Sequence, residues 1–515
     1  MKTIKNILVL LLGLLPFLAG AQGSAYKISD KAALERNFNK TLWFNSNNAA
    51  GLSISPLARC NELAVGYDMS RGDYKLKQQA LKGNNIFFNT YGALMIDGYA
   101  LWGKFSFENF IDRGASFNTT LFDPLADDMP YYVADTTSSG WAKQSYNLQM
   151  KVATPIFWDL MSVGVDLLYS NNLSAKQNDP RSESYLYFIT VKPSLVFKFN
   201  KHSIGVNGYY RNWFERSTHT NSNALKQQMV FMLRGLGNSI TDVVGTGDGV
   251  GIVYYKSNRY GGGLQYSYSG DVELLFDAAV ELQKLNAYNT PTKPEILGST
   301  SQMDINAKFQ ILFGGNKSNN ITLDVRHRAT DGIEHVKKWN TEGGKWDIIS
   351  SDIRSNYLLQ TAKLSYDKFL GQLPSYKWRF GGMAMFTNKA DEYLIPNSKF
   401  SYTNIYAQLY GKKNFTIKQS NILLGLRGGY NYNLAGEYVF RGSEANKKSR
   451  VVTEWYANDI AVYTSNFIKL GLDLDYSIEV SKKIALRIGG NFDYILPDID
   501  NRSRCLANIS FGMIF

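Results

Sequence analysis

From Leu63 to Phe515 the chain alternates apolar and polar residues with a period of two, segment after segment. At the C-terminus Phe515, Met513, Phe511, Ile509 and Ala507 fall on one face. Ile514, Gly512, Ser510, Asn508 and Leu506, small and mixed, fall on the other. The split recurs where Met303, Ile305, Ala307, Phe309 and Ile311 oppose Gln302, Asp304, Asn306, Lys308 and Gln310. A period of two is the side-chain period of a β-strand, and a tilted strand crosses a bilayer in ~9–11 residues. Lipid offers nothing to an unpaired backbone group, so strands cross it only in a closed barrel. We therefore expect an all-β protein, a transmembrane up-and-down antiparallel β-barrel with an even number of strands between about 14 and 20. One face of each strand meets lipid and the other a polar lumen.

Composition fits. No apolar run reaches the ~18 residues of a membrane-spanning helix after the first residues of the chain. Aromatic residues make up 14% of the chain and 44 Gly stand against 12 Pro, which suits long paired strands with aromatic girdles. Residues 1–21 have the form of a secretory signal: Lys2 and Lys5, an apolar run from Ile7 to Leu15, then Ala19-Gly20-Ala21, with cleavage expected before Gln22. The formal charge of +12 would in a cytosolic chain point to nucleic acid. In an exported one it fits basic rims facing outer-membrane lipid and lipopolysaccharide phosphates, or a lumen tuned for anions. Cys60 and Cys505 are too few for a disulfide framework.

Residues 22–60 do not alternate. Ser29-Asp30 followed by Lys31-Ala32-Ala33-Leu34-Glu35 predicts a capped short helix. The Asn-rich, aromatic stretch 41–52 predicts a compact non-strand segment, either a plug entering the lumen (Trp43, Phe44, Asn48, Ala49, Gly51) or a leader packed on the lower rim. The barrel is assigned to residues 61–515. Short turns are expected at Asp97-Gly98, 154–158, 200–202, 314–318, 418–421 and 480–483, and long polar connections at 111–141, 330–354 and 435–463. Pro193, within an otherwise regular strand, predicts a bulge. Strands between Lys226 and Tyr255 are poorly defined.

Parity places Arg326, Arg328, Arg379, Arg427 and Arg487 inward, with Asp304, Asp324, Asp473, Asp475 and Asp493. Such charges either ring an aqueous eyelet or fill the bore with salt bridges. His327 and His335, near Asp331 and Glu334, are the one cluster that could serve a rim hydrolase. Its spacing matches no metal-ligand pattern, and no motif calls for a cofactor. The glycine-rich 245–251 lacks the Lys-Ser/Thr of a phosphate-binding loop and predicts a flexible loop within or beneath the barrel. Residues 122–132, acidic and aromatic, predict a lid or a docking surface.

Leu42-Trp43 through Asn48-Ala49-Ala50-Gly51, Val65-Gly66-Tyr67 and Leu101-Trp102-Gly103-Lys104-Phe105-Ser106 carry a resemblance, over the whole mature chain, to an uncharacterised family of outer-membrane barrels from Bacteroidota. A weaker likeness is to the long-chain fatty-acid transporter barrels, which have a short N-terminal plug near an Asn/Ala/Gly segment. The ending Phe511, Met513, Phe515 resembles the signal read by the barrel-assembly machinery. The resemblance implies the bacterial outer membrane and a barrel, and no activity. The expectation is a non-enzymatic barrel that passes or helps import a solute, acting beside a TonB-dependent receptor or a surface lipoprotein. The alternatives are a closed structural or docking barrel and a rim hydrolase.

Overall fold

The backbone ladder closes on itself. In the computed structural model, which describes residues 28–515 except 125–126, 224, 245–249, 291, 316, 482 and 500, eighteen antiparallel strands form one sheet. The first, Cys60–Gly72, pairs with its successor Lys82–Ile96 and also with the last, Arg504–Ile514, where Leu63 lies opposite Met513. No strand edge is left open, which is what a barrel achieves and an open sheet cannot. The expected signal segment and the core of the glycine-rich loop (245–249) lie outside the described residues.

The predicted faces are the observed ones. Ile86, Leu426 and Phe511 are 54%, 63% and 56% exposed on the outer wall, while their neighbours Phe87, Leu423 and Ser510 are buried inside. One end of the barrel carries tight turns. At Asp97-Gly98 both residues take positive φ (+49° and +82°), the backbone of a two-residue hairpin turn whose twist matches the strands. The first strand begins and the last one finishes at this turn end. The other, the loop end, carries the long connections.

Three expectations are corrected. Residues 330–354 are no polar connection. Asn319–Asn340 and Lys345–Leu370 are continuous strands joined by a four-residue turn at 341–344. Pairing to the preceding strand stops at Ile333 and to the following strand at Ser355. Residues 334–354 therefore stand as a two-stranded hairpin outside the wall ladder, tied to the preceding strand by side chains such as Lys337, which donates to Glu295 and to the Ile296 carbonyl. Without lipid on one face they lose the alternation that marks a wall strand. Pro193 makes no bulge. Val191 opposes Tyr210 and Ser194 opposes Asn207, in unbroken register. The poorly defined strands near Lys226 are not wall strands. Gln228–Gly235 and Asn238–Val244 form a small separate sheet with Val133–Ala134.

Cys60 opens the first strand at the turn end, whereas Cys505 lies opposite Arg71 near the loop end. At ~3.3 Å per residue that separation is several times the reach of a disulfide, and both thiols are free.

Candidate functional site: a lumen closed from both ends

The turn end is filled by the N-terminal segment. Asp30 caps the helix Lys31–Lys40 by accepting from the Ala33 amide at 2.7 Å. The helix carries Glu35 to a cationic corner of the wall. The carboxylate accepts from Lys412 Nζ at 2.8 Å, Arg379 Nη1 at 3.0 Å and the Tyr376 hydroxyl at 2.6 Å. Burial opposes ionisation there, yet Lys412, Arg379 and Lys31 outweigh it, and the Glu35 carboxyl is held down at about 2.

Beyond the helix, residues 41–53 make two 3-10 turns, Leu42–Asn45 and Ala49–Ser53. All five plug candidates lie in this stretch. Trp43, Asn48, Ala49 and Gly51 are buried and Phe44 is half-buried, its ring edge-on to Trp102 at 5.2 Å. Asn48 Nδ2 donates to the wall carbonyls of Leu195 (2.8 Å) and Val206 (3.2 Å) and to Gln265 Oε1 (2.9 Å). Wall lysines reach in from three strands: Lys151 Nζ donates to the Phe44 carbonyl, Lys308 Nζ to that of Asn45 and Lys192 Nζ to Asn47 Oδ1. Gly164 is required by the close approach. A Cβ there would overlap the backbone of Ala49 and Ala50, just as one at Gly51 would enter the Trp43 ring.

The docked state has the lower Glu35 pKa, so its contribution to docking is fully present above the ordinary value of 4.5 and is lost as pH falls through about 2. Pepsin cleavage within residues 28–59 is expected to accelerate steeply between those values. Glu35→Gln is expected to weaken docking by about 1.5–3 kcal/mol and to remove that acid dependence. An unchanged pH profile in the variant would show that another group controls docking.

The loop end is closed by chain that turns inward. The stretch 122–132, expected as a lid or docking surface, belongs to a connection, 116–138, whose described residues pack within the barrel mouth. Phe117, Met129, Tyr131 and Tyr132 join Val230, Leu233 and Trp455 in a buried cluster, with Phe117 stacked on Trp455 at 5.2 Å. Three wall groups hold this loop. Glu215 accepts from the amides of Leu121 and Phe122 (2.6 and 3.1 Å). Lys389 pairs with Asp128 at 2.5 Å. Lys176 pairs with Asp135 at 2.5 Å, both side chains essentially without solvent contact.

Each of the ten inward charges expected from parity has an ion-pair partner. Arg326 and Arg328 share Asp304, and Arg328 also reaches Asp128 at 3.6 Å. Arg379 bridges Glu35 and Asp367, and Asp324 meets Lys308 at 3.5 Å. Arg427 joins Asp473 (2.6 Å) and Asp493 (3.0 Å); Arg487 joins Asp475 and Glu62. They form separate clusters rather than a continuous ring. Between the inward loop and the wall near the barrel's seam lies a cavity of about 620 Å³, whose lining includes Asp68, Asn85, Asp112, Asn491, Asp493 and Asn508. Its carboxylates, Asp68, Asp112, Asp123 and Asp493, outnumber its cations, Lys143 and Arg504.

Sequence reasoning missed Glu35, Gly164, Glu215, Asp128 and Lys389. Glu62 was missed as well, although its parity with the inward Ala64 could have found it. Asp128 carried no such signal, as its partner Lys389 lies 261 residues away. His327 and His335 are not brought together. His327 contacts Gln360 on the wall, and His335 sits on the 334–354 hairpin between Ser299 and Ser351. Among the described residues no group of His, Cys, Asp and Glu is disposed to hold a metal ion. At the C-terminus Phe511 faces outward, Met513 opposes Leu63 and Phe515 exchanges backbone hydrogen bonds with Asn61.

A family model covers residues 49–515, which takes in the Ala49–Ser53 turn and the whole barrel. The chain belongs to DUF6850, a family of unknown function. No curated protein matches it. Among solved structures it is similar to BauA, the ferric preacinetobactin receptor of Acinetobacter baumannii, at 8% identity over 88% of this chain and 80% of that one, with a TM-score of 0.40. It is similar at the same identity, coverage of this chain and TM-score to the outer membrane transporter YddB of Escherichia coli, of which 81% is covered. FyuA, the ferric yersiniabactin uptake receptor of Yersinia pestis, matches at 11% identity over 85% of this chain and 62% of its own, with a TM-score of 0.40. At such identities these likenesses assign the DUF6850 chain no substrate and no partner.

Proposed function

We propose that this protein is a non-enzymatic barrel of the bacterial outer membrane, loop end outward, that admits a small polar solute past a detachable N-terminal plug. The observation that carries the reading is how the turn end is closed. The closing segment precedes the barrel in the chain; Leu34, Leu42 and Trp43 pack on apolar wall groups, buried polar contacts at Glu35 and Asn48 tie it there as well, and a glycine-lined seat receives it. A purely structural filling would gain more from apolar packing than from so many desolvated charges. The cavity of about 620 Å³ is the route past the inward loops, and its carboxylates favour cationic or hydroxyl-rich solutes over anions. The C-terminal Phe511, Met513 and Phe515 would serve the barrel-assembly machinery.

The test is ion selectivity of the barrel lacking residues 28–59. Arg427→Gln removes the shared partner of Asp473 and of the cavity-lining Asp493, leaving each with one lysine (Lys412 and Lys469), and is expected to shift the reversal potential toward greater cation preference. An unchanged potential would remove the inward charges from the transport route.

A docking role for the same barrel is favoured by the 334–354 hairpin. Val336, Ile348, Ile349 and Ile353 are exposed there, beyond the last wall pairings, where neither lipid nor a neighbouring strand covers them. A TonB-dependent receptor or a surface lipoprotein would meet the barrel at this hairpin. Co-purification lost with Ile348→Ser and Ile349→Ser would support that reading, and the same partners recovered with both would end it.

A further inference from the structure

Arg71, Lys82 and Arg113 lie directly opposite one another on three adjacent strands, Arg71 facing Lys82 and Lys82 facing Arg113. All three are on the outer wall, because each shares the parity of exposed apolar residues: Tyr67, Ile86 and Ile111. The row continues to Cys505 on one side and Gly140 on the other, so its flanks bring no carboxylate. Among the described residues none of the three makes an ion pair.

Like charges directly opposite on a sheet repel. A wall under selection for stability alone would dilute such a row with polar neutral residues. The row also has a definite height. Immediately below it toward the turn end the same strands present Met69, Asn84 and Ile111, then Tyr67, Ile86 and Asn109. It therefore crowns the apolar face at the level where lipid headgroups begin. Across three strands it spans about 10 Å, the size of one headgroup. Arg71 is already oriented: its guanidinium donates to the Gly83 carbonyl (2.7 Å) and to Asn84 Oδ1 (2.6 Å), while Lys82 and Arg113 are exposed.

We propose that Arg71, Lys82 and Arg113 form a binding site on the outer wall for the phosphate of a phosphorylated glycolipid in the outer leaflet. Guanidinium and ammonium groups together suit a phosphate monoester, the first by paired N–H donors and the second as a point charge. Ile86, Ile111 and Tyr67 receive the upper part of its acyl chains. The proposal rests on the bilayer placement above and is independent of solute passage.

Native mass spectrometry of the full chain tests it, after insertion into phosphatidylcholine vesicles containing diphosphorylated lipid A or the fully dephosphorylated form. The expected result is retention of the phosphorylated lipid only, reduced at least tenfold in Lys82→Gln/Arg113→Gln, with Arg71 left in place because it also braces the wall. Equal retention by the variant, or equal retention of both lipids, would overturn the site. Displacement by millimolar inorganic phosphate would overturn the lipid assignment and leave a free-anion site. Both proteins are expected to insert equally into plain phosphatidylcholine vesicles. Failure to insert into any vesicle would overturn the bilayer placement itself, and this site with it.

Discussion

Deleting residues 28–59 is expected to turn an electrically silent barrel into a conducting one in a planar bilayer. Eighteen strands enclose more space than their inward side chains fill; barrels of ~16–18 strands leave an aqueous channel unless something occupies it. At the turn end the occupant is the N-terminal segment. It leaves behind Lys151, Lys192, Lys308, Arg379 and Lys412, all of which it contacts, and these hydrate rather than collapse. The wall itself is untouched, because the segment contributes no strand to the ladder and the first strand begins at Cys60. Gly164→Val provides the same opening without deletion, since the added side chain occupies the place of Ala49 and Ala50. Intermittent conductance is expected there, and the steady kind in the deletion. Silence in both, with the barrel shown to be inserted, would mean that the loop end alone seals the lumen.

Lys176→Met is expected to destabilise the loop-end closure by roughly 3–5 kcal/mol, because it strands the Asp135 carboxylate where neither side chain of the pair meets solvent. Replacing both members, Lys176→Met with Asp135→Leu, removes the uncompensated charge and is expected to restore most of the loss. What remains is the hydrogen bond that Asp135 accepts from the Thr137 amide at 2.8 Å, worth about 1 kcal/mol. Amide exchange over residues 117–134 reads this directly. A loss of 3 kcal/mol accelerates exchange of the loop on the order of a hundredfold, while amides of the wall ladder keep their protection. Equal destabilisation by the single and double variants would show that packing around Phe117 and Trp455, not the buried pair, holds the loop. Joined to the N-terminal deletion, Lys176→Met is expected to raise the conductance further.

The wall was readable because lipid on one side and a polar lumen on the other impose a period of two on every strand they flank. Ile468, Leu470, Leu472 and Leu474 carried that signal, and so did the inward placement of Arg427 and Arg487, each of which has its carboxylate partners on the inner face. The signal failed where its cause was absent. Residues 334–354 rise above the last wall pairings, so neither face is lipid-bound, and the sequence there looks like a loop although it is a regular hairpin. Gln228–Gly235 and Asn238–Val244 failed for the converse reason. They are strands packed against protein on one face, with Met229 and Ile240 exposed on the other, and nothing in their pattern distinguishes such a separate sheet from a wall strand.

The sequence by itself therefore determined the closed β-architecture, the two faces of the wall and the presence of a separate non-strand leader, since each follows from side-chain period or from local propensity. Tertiary structure alone decided that the lumen is stoppered at both ends. Glu35 finds Arg379 across 344 residues and Asp128 finds Lys389 across 261. A charge on a strand reports only that it points inward. Whether it meets water or a partner depends on which distant segment folds into the bore, and that is set by the barrel's closure and by the volume left inside it.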